Sequence, residues 1–267
     1  MPKLNATATA RRKASGNDSY FVEALARGLE VIRAFGRERT PMTLSEVARR
    51  TGLSKPTARR MLLTLCDTGY FATDGATFRP APGVLSLAMA YLGTDLVTTV
   101  LQPTCERLMA STEETCFVAV LDGLEIVRIA NANPRFPTGL HPSIGQRMPA
   151  LATAAGRVML GTLSDSDLDR HLKAAKPRSA TKFTETDTRR LREIVLRTRA
   201  DGYAITRQEW SLGYCGVAVP LRRIDGGLVG ALCVTPRVER FNADPKMKAA
   251  LVDLLRREAA ALSTQLL

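Results

Sequence analysis

The sequence predicts an α+β protein with an amino-terminal winged helix-turn-helix, a linker helix, and a carboxyl-terminal sensor-type domain of helices over an antiparallel sheet. Three observations support this. Residues 43–79 place two short helices around a glycine turn, a basic second helix and a small hairpin in the order a winged helix-turn-helix requires. The net charge of +12 is concentrated at the amino end: residues 1–80 hold 14 Lys and Arg against 7 Asp and Glu, while the remaining 187 residues hold 24 against 19. Beyond residue 115 the apolar residues alternate as in strands, between stretches of helical period.

In chain order, residues 1–18, with Arg11-Arg12-Lys13, read as a disordered basic arm. Residues 19–80 form the expected DNA-binding domain. Its first helix, 20–35, carries Leu25, Leu29, Ile32 and Phe35 at helical spacing. Thr43-Leu44-Ser45-Glu46 is a capping box, in which hydroxyl and carboxylate each satisfy an orphan backbone N–H. Val47, Ala48 and Leu53 are expected to face inward, and Gly52 supplies the turn. Ser54 caps a second helix, 55–68, with Ala58, Met61, Leu62 and Leu65 on its apolar stripe. Gly69 sits where a left-handed cap belongs, and strands 70–73 and 76–79 flank the hairpin signal Asp74-Gly75. The residues expected to cap, position or touch nucleic acid are Thr43, Ser54, Lys55, Thr57, Arg59, Arg60 and, on the wing, Arg79. A basic domain attracts polyphosphate by counterion release, so double-stranded DNA is the expected partner.

Residues 81–93 read as a linker. After a Pro/Gly hinge at 79–83, residues 84–92 are almost wholly apolar, which suggests a helix that packs on a second copy of the chain. Residues 94–267 form the second domain. It opens with a helix at 94–111 despite Pro103, then a hairpin of 115–121 and 125–130. Helices follow at 150–163, 166–174 and 187–200, strands at 202–206, 216–221 and 228–235, and a closing helix at 245–265. That last helix places Met247, Leu251, Leu254, Leu255 and Leu262 inward.

Several function classes find no support. A 45% hydrophobic, 24% charged composition is that of a soluble globular chain, with no apolar run of membrane-span length and no secretory signal. Five scattered cysteines fit reduced thiols in the cytoplasm. His141 and His171 have no ligand or catalytic partner at motif spacing and read as surface or loop residues. There is no Gly-x-Ser-x-Gly elbow, and Asp225-Gly226-Gly227 joins strands instead of opening a nucleotide-binding helix. No catalytic residue, metal or cofactor is expected.

Three ordered segments carry a resemblance. Residues 24–32 (ALARGLEVI), 148–157 (MPALATAAGR) and 199–204 (RADGYA), the last followed by Glu209 and Gly213, resemble the diagnostic blocks of the IclR family of transcriptional regulators. Residues 20–35 and 64–78 most resemble the subgroup that controls protocatechuate, 4-hydroxybenzoate and β-ketoadipate catabolism. The resemblance implies a homodimer or dimer of dimers, winged heads on operator DNA, and a GAF-like carboxyl domain that binds a small organic acid. It places the effector-binding residues at Ala154, Ala155, Gly156, Thr206, Gly216, Cys233 and Thr235. Relatives that bind glyoxylate or pyruvate carry an acidic residue near Thr206 and a Cys at Gly216, so the smaller Gly is expected to enlarge the pocket for an aromatic or dicarboxylic acid. Arg207 is the candidate carboxylate partner, in competition with Arg147, Arg157 and the backbone N–H groups of 154–156. The expected mechanism is coupling of acid binding to operator affinity or polymerase contact through residues 80–92. The alternatives are a sensor of glyoxylate- or pyruvate-like acids, and a DNA-bound scaffold for RNA polymerase with no metabolite.

Overall fold

A computed structural model describes residues 21–36, 40–93, 96–134 and 143–266. The basic arm predicted at 1–18 and His141 lie outside the described residues. The chain divides into two compact units, with the boundary between Tyr91 and Leu92.

The first unit is a three-helix core with a three-stranded sheet. Helices α1 (Glu23–Phe35), α2 (Leu44–Thr51) and α3 (Lys55–Asp67) enclose Val31, Phe35, Val47, Ala48, Ala58 and Leu62. Leu25 and Leu29 do not join them. They are 63% and 40% exposed, because the stripe that α1 turns toward its neighbours runs through Val31 and Phe35. The capping box is present: Thr43 N–H donates to Glu46 Oε2 at 2.8 Å, and Glu46 N–H donates to Thr43 Oγ1 at 3.4 Å. Gly52 turns the chain at φ 71°, and Ser54 Oγ accepts from Thr57 N at 3.3 Å to start α3. Strands β2 (Phe71–Thr73) and β3 (Thr77–Pro80) form the wing, and β1 (Met42–Thr43), which the sequence pattern did not indicate, pairs with β3. Asp74 holds the wing turn by accepting from Ala76 N and Thr77 N at 2.9 and 2.6 Å, and those bonds keep its carboxyl near a pKa of about 2. Helix α4 (Gly83–Leu92) follows, with Leu85, Leu87 and Met89 about half or more exposed.

The second unit is a six-stranded antiparallel sheet between two helical layers. Its strands are β4 (Thr115–Asp122), β5 (Glu125–Ala132), β6 (Arg147–Pro149), β7 (Ala204–Arg207), β8 (Cys215–Arg222) and β9 (Leu228–Thr235), in the order β6-β5-β4-β9-β8-β7. One face packs on α5 (Gln102–Thr112), α9 (Val238–Ala243) and α10 (Met247–Ser263) through a core that includes Val118, Val217, Leu232, Phe241, Leu251 and Leu255. The other packs on α6 (Ala154–Leu160), α7 (Asp165–Ala175) and α8 (Thr188–Asp201) through Phe117, Ala119, Met159, Leu168, Leu191 and Cys233. The period-2 alternation of each strand divides its side chains between these two cores.

Three departures from the sequence reading have local causes. The stretch before α5 is a π-turn, Leu96–Leu101, which meets α5 beside Pro103, a residue that cannot donate to an α-helical ladder. The helix expected at 150–163 is a 3₁₀ turn, Ala150–Ala152, broken at extended Thr153, whose hydroxyl then caps α6 by accepting from Gly156 N at 3.2 Å. His171 is neither a surface nor a loop residue: it is a buried member of the inner face of α7, beside Leu168 and Leu172.

Candidate functional site

Between the α6 face of the sheet and the loop 208–214 lies a cavity enclosing about 450 Å³ of space free of atoms, part of it open to solvent. Its floor is set by strand register: Phe117 lies opposite Cys233, Thr115 opposite Thr235, and Thr206 opposite Gly216. Ala154 and Ala155, at the start of α6, and Ala152 and Met148 close one side, while Glu209, Trp210, Ser211 and Tyr214 from the loop close the other. Cys215 also contributes, and burial pushes both its thiol and that of Cys233 up, so both are uncharged near neutral pH. The wall is therefore mainly apolar.

Two arginines bear on this space in different states, Arg128 as part of its lining and Arg157 through the lining residue Glu209. Arg157 is 2% exposed and fully engaged, its Nη1 and Nη2 each 2.6 Å from a Glu209 carboxylate oxygen and its Nε 2.9 Å from Leu151 O. Glu209 in turn ties the loop down: its carbonyl accepts from Thr184 Oγ1 at 2.5 Å and its carboxylate from Glu185 N at 3.3 Å. Gln208 N–H donates to Tyr214 O at 2.8 Å and closes the loop at its base. Arg128, on β5, is 5% exposed and pairs with no carboxylate among the described residues. Its Nη1 donates to Asn131 Oδ1 at 3.1 Å, its Nη2 lies 3.9 Å from Met148 Sδ, and its Cζ stands 3.9 Å from the Phe117 ring centre. Its Nε has no hydrogen-bond partner among the described residues. Burial brings its pKa down to about 10, which still leaves it protonated at neutral pH.

In the first unit, α3 presents Lys55, Arg59 and Arg60 to solvent, and the wing presents Arg79. Among the described residues none of these four is in an ion pair. Thr43, Ser54 and Thr57 are occupied in caps: Ser54 Oγ donates to Thr57 Oγ1 at 2.9 Å, so these hydroxyls set the helix starts. Such a face, exposed cations on a helix that follows a tight turn, has the layout of a major-groove reader.

A family model described as the IclR helix-turn-helix domain matches residues 24–75, and one described as the bacterial transcriptional regulator IclR C-terminal domain matches residues 89–264. The chain belongs to the IclR family of transcriptional regulators. It is 32% identical over 240 residues to the Pca regulon regulatory protein of Pseudomonas putida, covering 90% of this chain and 82% of that one. Among solved structures, a transcriptional regulator from Rhodococcus sp. RHA1 superposes with a TM-score of 0.77 at 36% identity, over 91% of this chain and 97% of that one. A double mutant of the PobR inducer-binding domain from Acinetobacter, in complex with 3-hydroxybenzoic acid, superposes with a TM-score of 0.56 at 27% identity, over 61% of this chain and 95% of that one.

In this IclR-family chain, six of the eight residues expected at the effector site line the cavity: Ala154, Ala155, Thr206, Gly216, Cys233 and Thr235. Gly156 does not line it. Its N–H is taken by Thr153 Oγ1, and a side chain there would collide with the Ala150 backbone, so Gly156 serves the close approach of α6 to the 3₁₀ turn. Arg207 is also outside. It follows Thr206 along β7 and therefore turns to the opposite face, where Nη1 donates to Asn242 Oδ1 at 3.2 Å and Cζ stands 5.3 Å from the Phe241 ring centre. Arg147 is exposed and held by Asp122 and Glu125 at 2.6 and 2.7 Å. Gly216 does not enlarge the pocket by itself: a Cβ there would lie 2.8 Å from Thr206 Oγ1 and 3.3 Å from Ala154 Cβ, so the missing side chain lets strand and helix close up. The sequence reading missed Arg128, yet a signal was present. Arg128 stands two residues from Ile126 on a strand, hence on the same, inward face.

Proposed function

We propose that the cavity is the effector site and that its ligand is a small aromatic acid, which adjusts transcription of catabolic genes from operator DNA held by the winged heads. One observation carries this. Residues far apart in sequence, Ala154, Ala155, Thr206, Gly216, Cys233 and Thr235, converge on one concave, mostly apolar space. A filled core at this place would have favoured the polymerase scaffold; the open cavity favours the sensor. Glyoxylate- and pyruvate-like acids are the less suitable ligands, because Phe117, Met148 and Trp210 in the lining offer ring and thioether contacts that suit an aromatic acid better. The relatives' names, one a regulator of the Pca regulon and the other an inducer domain holding 3-hydroxybenzoic acid, support the aromatic reading.

On the DNA side, Lys55, Arg59, Arg60 and Arg79 reach the bases and phosphates, while Thr43, Ser54 and Thr57 fix the helix starts that aim them. The working unit is a homodimer or a dimer of dimers, because Val22, Leu25 and Leu29 on one side and Leu85, Leu87 and Met89 of α4 on the other are apolar and exposed in a single chain. RNA polymerase is a further candidate partner and the cytoplasm is the expected compartment. No catalytic role is assigned to any residue.

Thermal-shift titration with 3-hydroxybenzoate, 4-hydroxybenzoate, protocatechuate, β-ketoadipate, glyoxylate and pyruvate tests the effector reading. Saturation at about 100 times Kd stabilises by roughly 2.7 kcal/mol, or about 5–10 °C in a domain of this size. An aromatic acid giving that shift supports the reading. Shifts from glyoxylate or pyruvate alone would transfer the chain to the small-acid sensors.

A further inference from the structure

We propose that Arg128 is the anion anchor of the cavity and that it selects an aromatic monocarboxylate over a dicarboxylate. This rests on the reading that the cavity takes an organic acid, and goes further by naming the residue and the charge that the acid must carry. Guanidinium groups are seldom nine-tenths buried without a carboxylate, because removing the charge from water must be offset by pairing. Arg128 is 5% exposed, and its partners are an amide oxygen, a thioether sulfur and an aromatic face. A guanidinium has five N–H groups. Two are accounted for by Asn131 and Met148, and Nε is buried with no acceptor among the described residues. Native proteins leave few such donors unsatisfied, and the Arg128 side chain lines the cavity. The Phe117 ring offsets part of the charge through its quadrupole but accepts no strong hydrogen bond from the fork edge. A carboxylate is the acceptor that matches a guanidinium in both charge and bidentate geometry.

The cavity's charge balance sets the number of carboxylates. Arg157 is cancelled by Glu209, and the two thiols, Cys215 and Cys233, are kept neutral by burial. Tyr214 is the remaining titratable lining group. The space therefore holds one uncompensated positive charge, and a ligand with one carboxylate neutralises it. A second carboxylate would find no further unpaired cation among the lining residues and would meet the Glu209 carboxylate instead. The apolar remainder, Phe117, Met148 and Trp210, suits a ring.

The test uses the full-length protein. Isothermal titration would compare 3-hydroxybenzoate and 4-hydroxybenzoate with the neutral 3-hydroxybenzamide and 4-hydroxybenzamide, and with the dianions adipate and β-ketoadipate, on wild type, Arg128→Met and Arg128→Lys. The expected result is that wild type binds a hydroxybenzoate about 100-fold or more tightly than its amide or either dianion. Arg128→Met should lose that preference with little change toward the amide, and Arg128→Lys should retain part of it. Equal affinity for acid and amide in wild type, or an acid preference that survives in Arg128→Met, would overturn the anchor while leaving the cavity as the effector site. Tighter binding of the dianions would overturn the selection. If none of the aromatic acids binds wild type, the effector reading itself fails and the anchor with it. Should Arg128→Met not fold, Arg128→Lys decides: an acid-to-amide ratio equal to that of wild type would overturn the anchor, and a reduced ratio supports it.

Discussion

Glu209→Ala is expected to unfasten the loop that closes the cavity. The substitution removes two 2.6 Å hydrogen bonds and leaves Arg157, 2% exposed, with only Leu151 O at its Nε. Breaking a buried pair from one side typically costs about 3–5 kcal/mol. The lower end applies here, because Glu209 is 12% exposed and water can reach the vacated side of Arg157. At about 2–4 °C per kcal/mol for a domain of this size, the melting temperature should fall by roughly 6–12 °C. Replacing both partners, as in Arg157→Met with Glu209→Ala, should recover much of that loss, since no buried charge is then left unpaired. The chain's one tryptophan, Trp210, adjoins Glu209 and lines the cavity, so its emission reports the loop directly. Melts followed by far-UV circular dichroism and by Trp210 emission would measure both effects. A Glu209→Ala protein that melts within about 2 °C of wild type, with unshifted Trp210 emission, would refute the reasoning that this pair ties the loop to α6.

Three further outcomes are expected. Arg59→Ala and Arg60→Ala should each weaken binding to duplexes selected from a random pool, and flatten its salt dependence by about one unit of slope for each phosphate no longer neutralised, while leaving acid titrations of the second domain unchanged; fluorescence anisotropy in a salt series measures this. Gly216→Ala should weaken acid binding, because its Cβ forces Thr206 to shift, and Gly216→Trp should abolish it; unchanged titrations of Gly216→Trp would count against the pocket. Stability should fall as pH is lowered through the unfolded-state His value near 6.5, because burial lowers the pKa of folded His171 and the unfolded chain then binds the extra proton. The contribution is at most about 1.4 kcal/mol per pH unit, absent above that window, and missing from the urea melts of His171→Leu.

Local rules made the first unit legible. The Thr43–Glu46 box, Gly52, the Ser54 cap and Asp74-Gly75 each act within four residues, so spacing alone determines them. What was misjudged there, the exposure of Leu25 and Leu29, depends on which of the helix's apolar positions its neighbours cover, and these are Val31 and Phe35. In the second unit, strand and helix types were readable from period, but Thr153 interrupts an apparently continuous helix because its hydroxyl competes for the backbone. The effector residues came from resemblance, and the cavity assembles six of them. The error over Arg207 was one of parity: adjacent Thr206 and Arg207 cannot both face the cavity from one strand. Arg128 went unremarked because a charged residue in a strand is ordinarily taken to face water. Its parity with Ile126 was the available signal, and the helices that cover both faces of the sheet account for its burial.

The most direct test is a crystal structure of the full-length protein grown with saturating 3-hydroxybenzoate. The account predicts the aromatic ring between the Phe117 and Trp210 walls, with its carboxylate hydrogen-bonded to Arg128. Ligand density outside this cavity, or a ring inside it whose carboxylate turns away from Arg128, would contradict it.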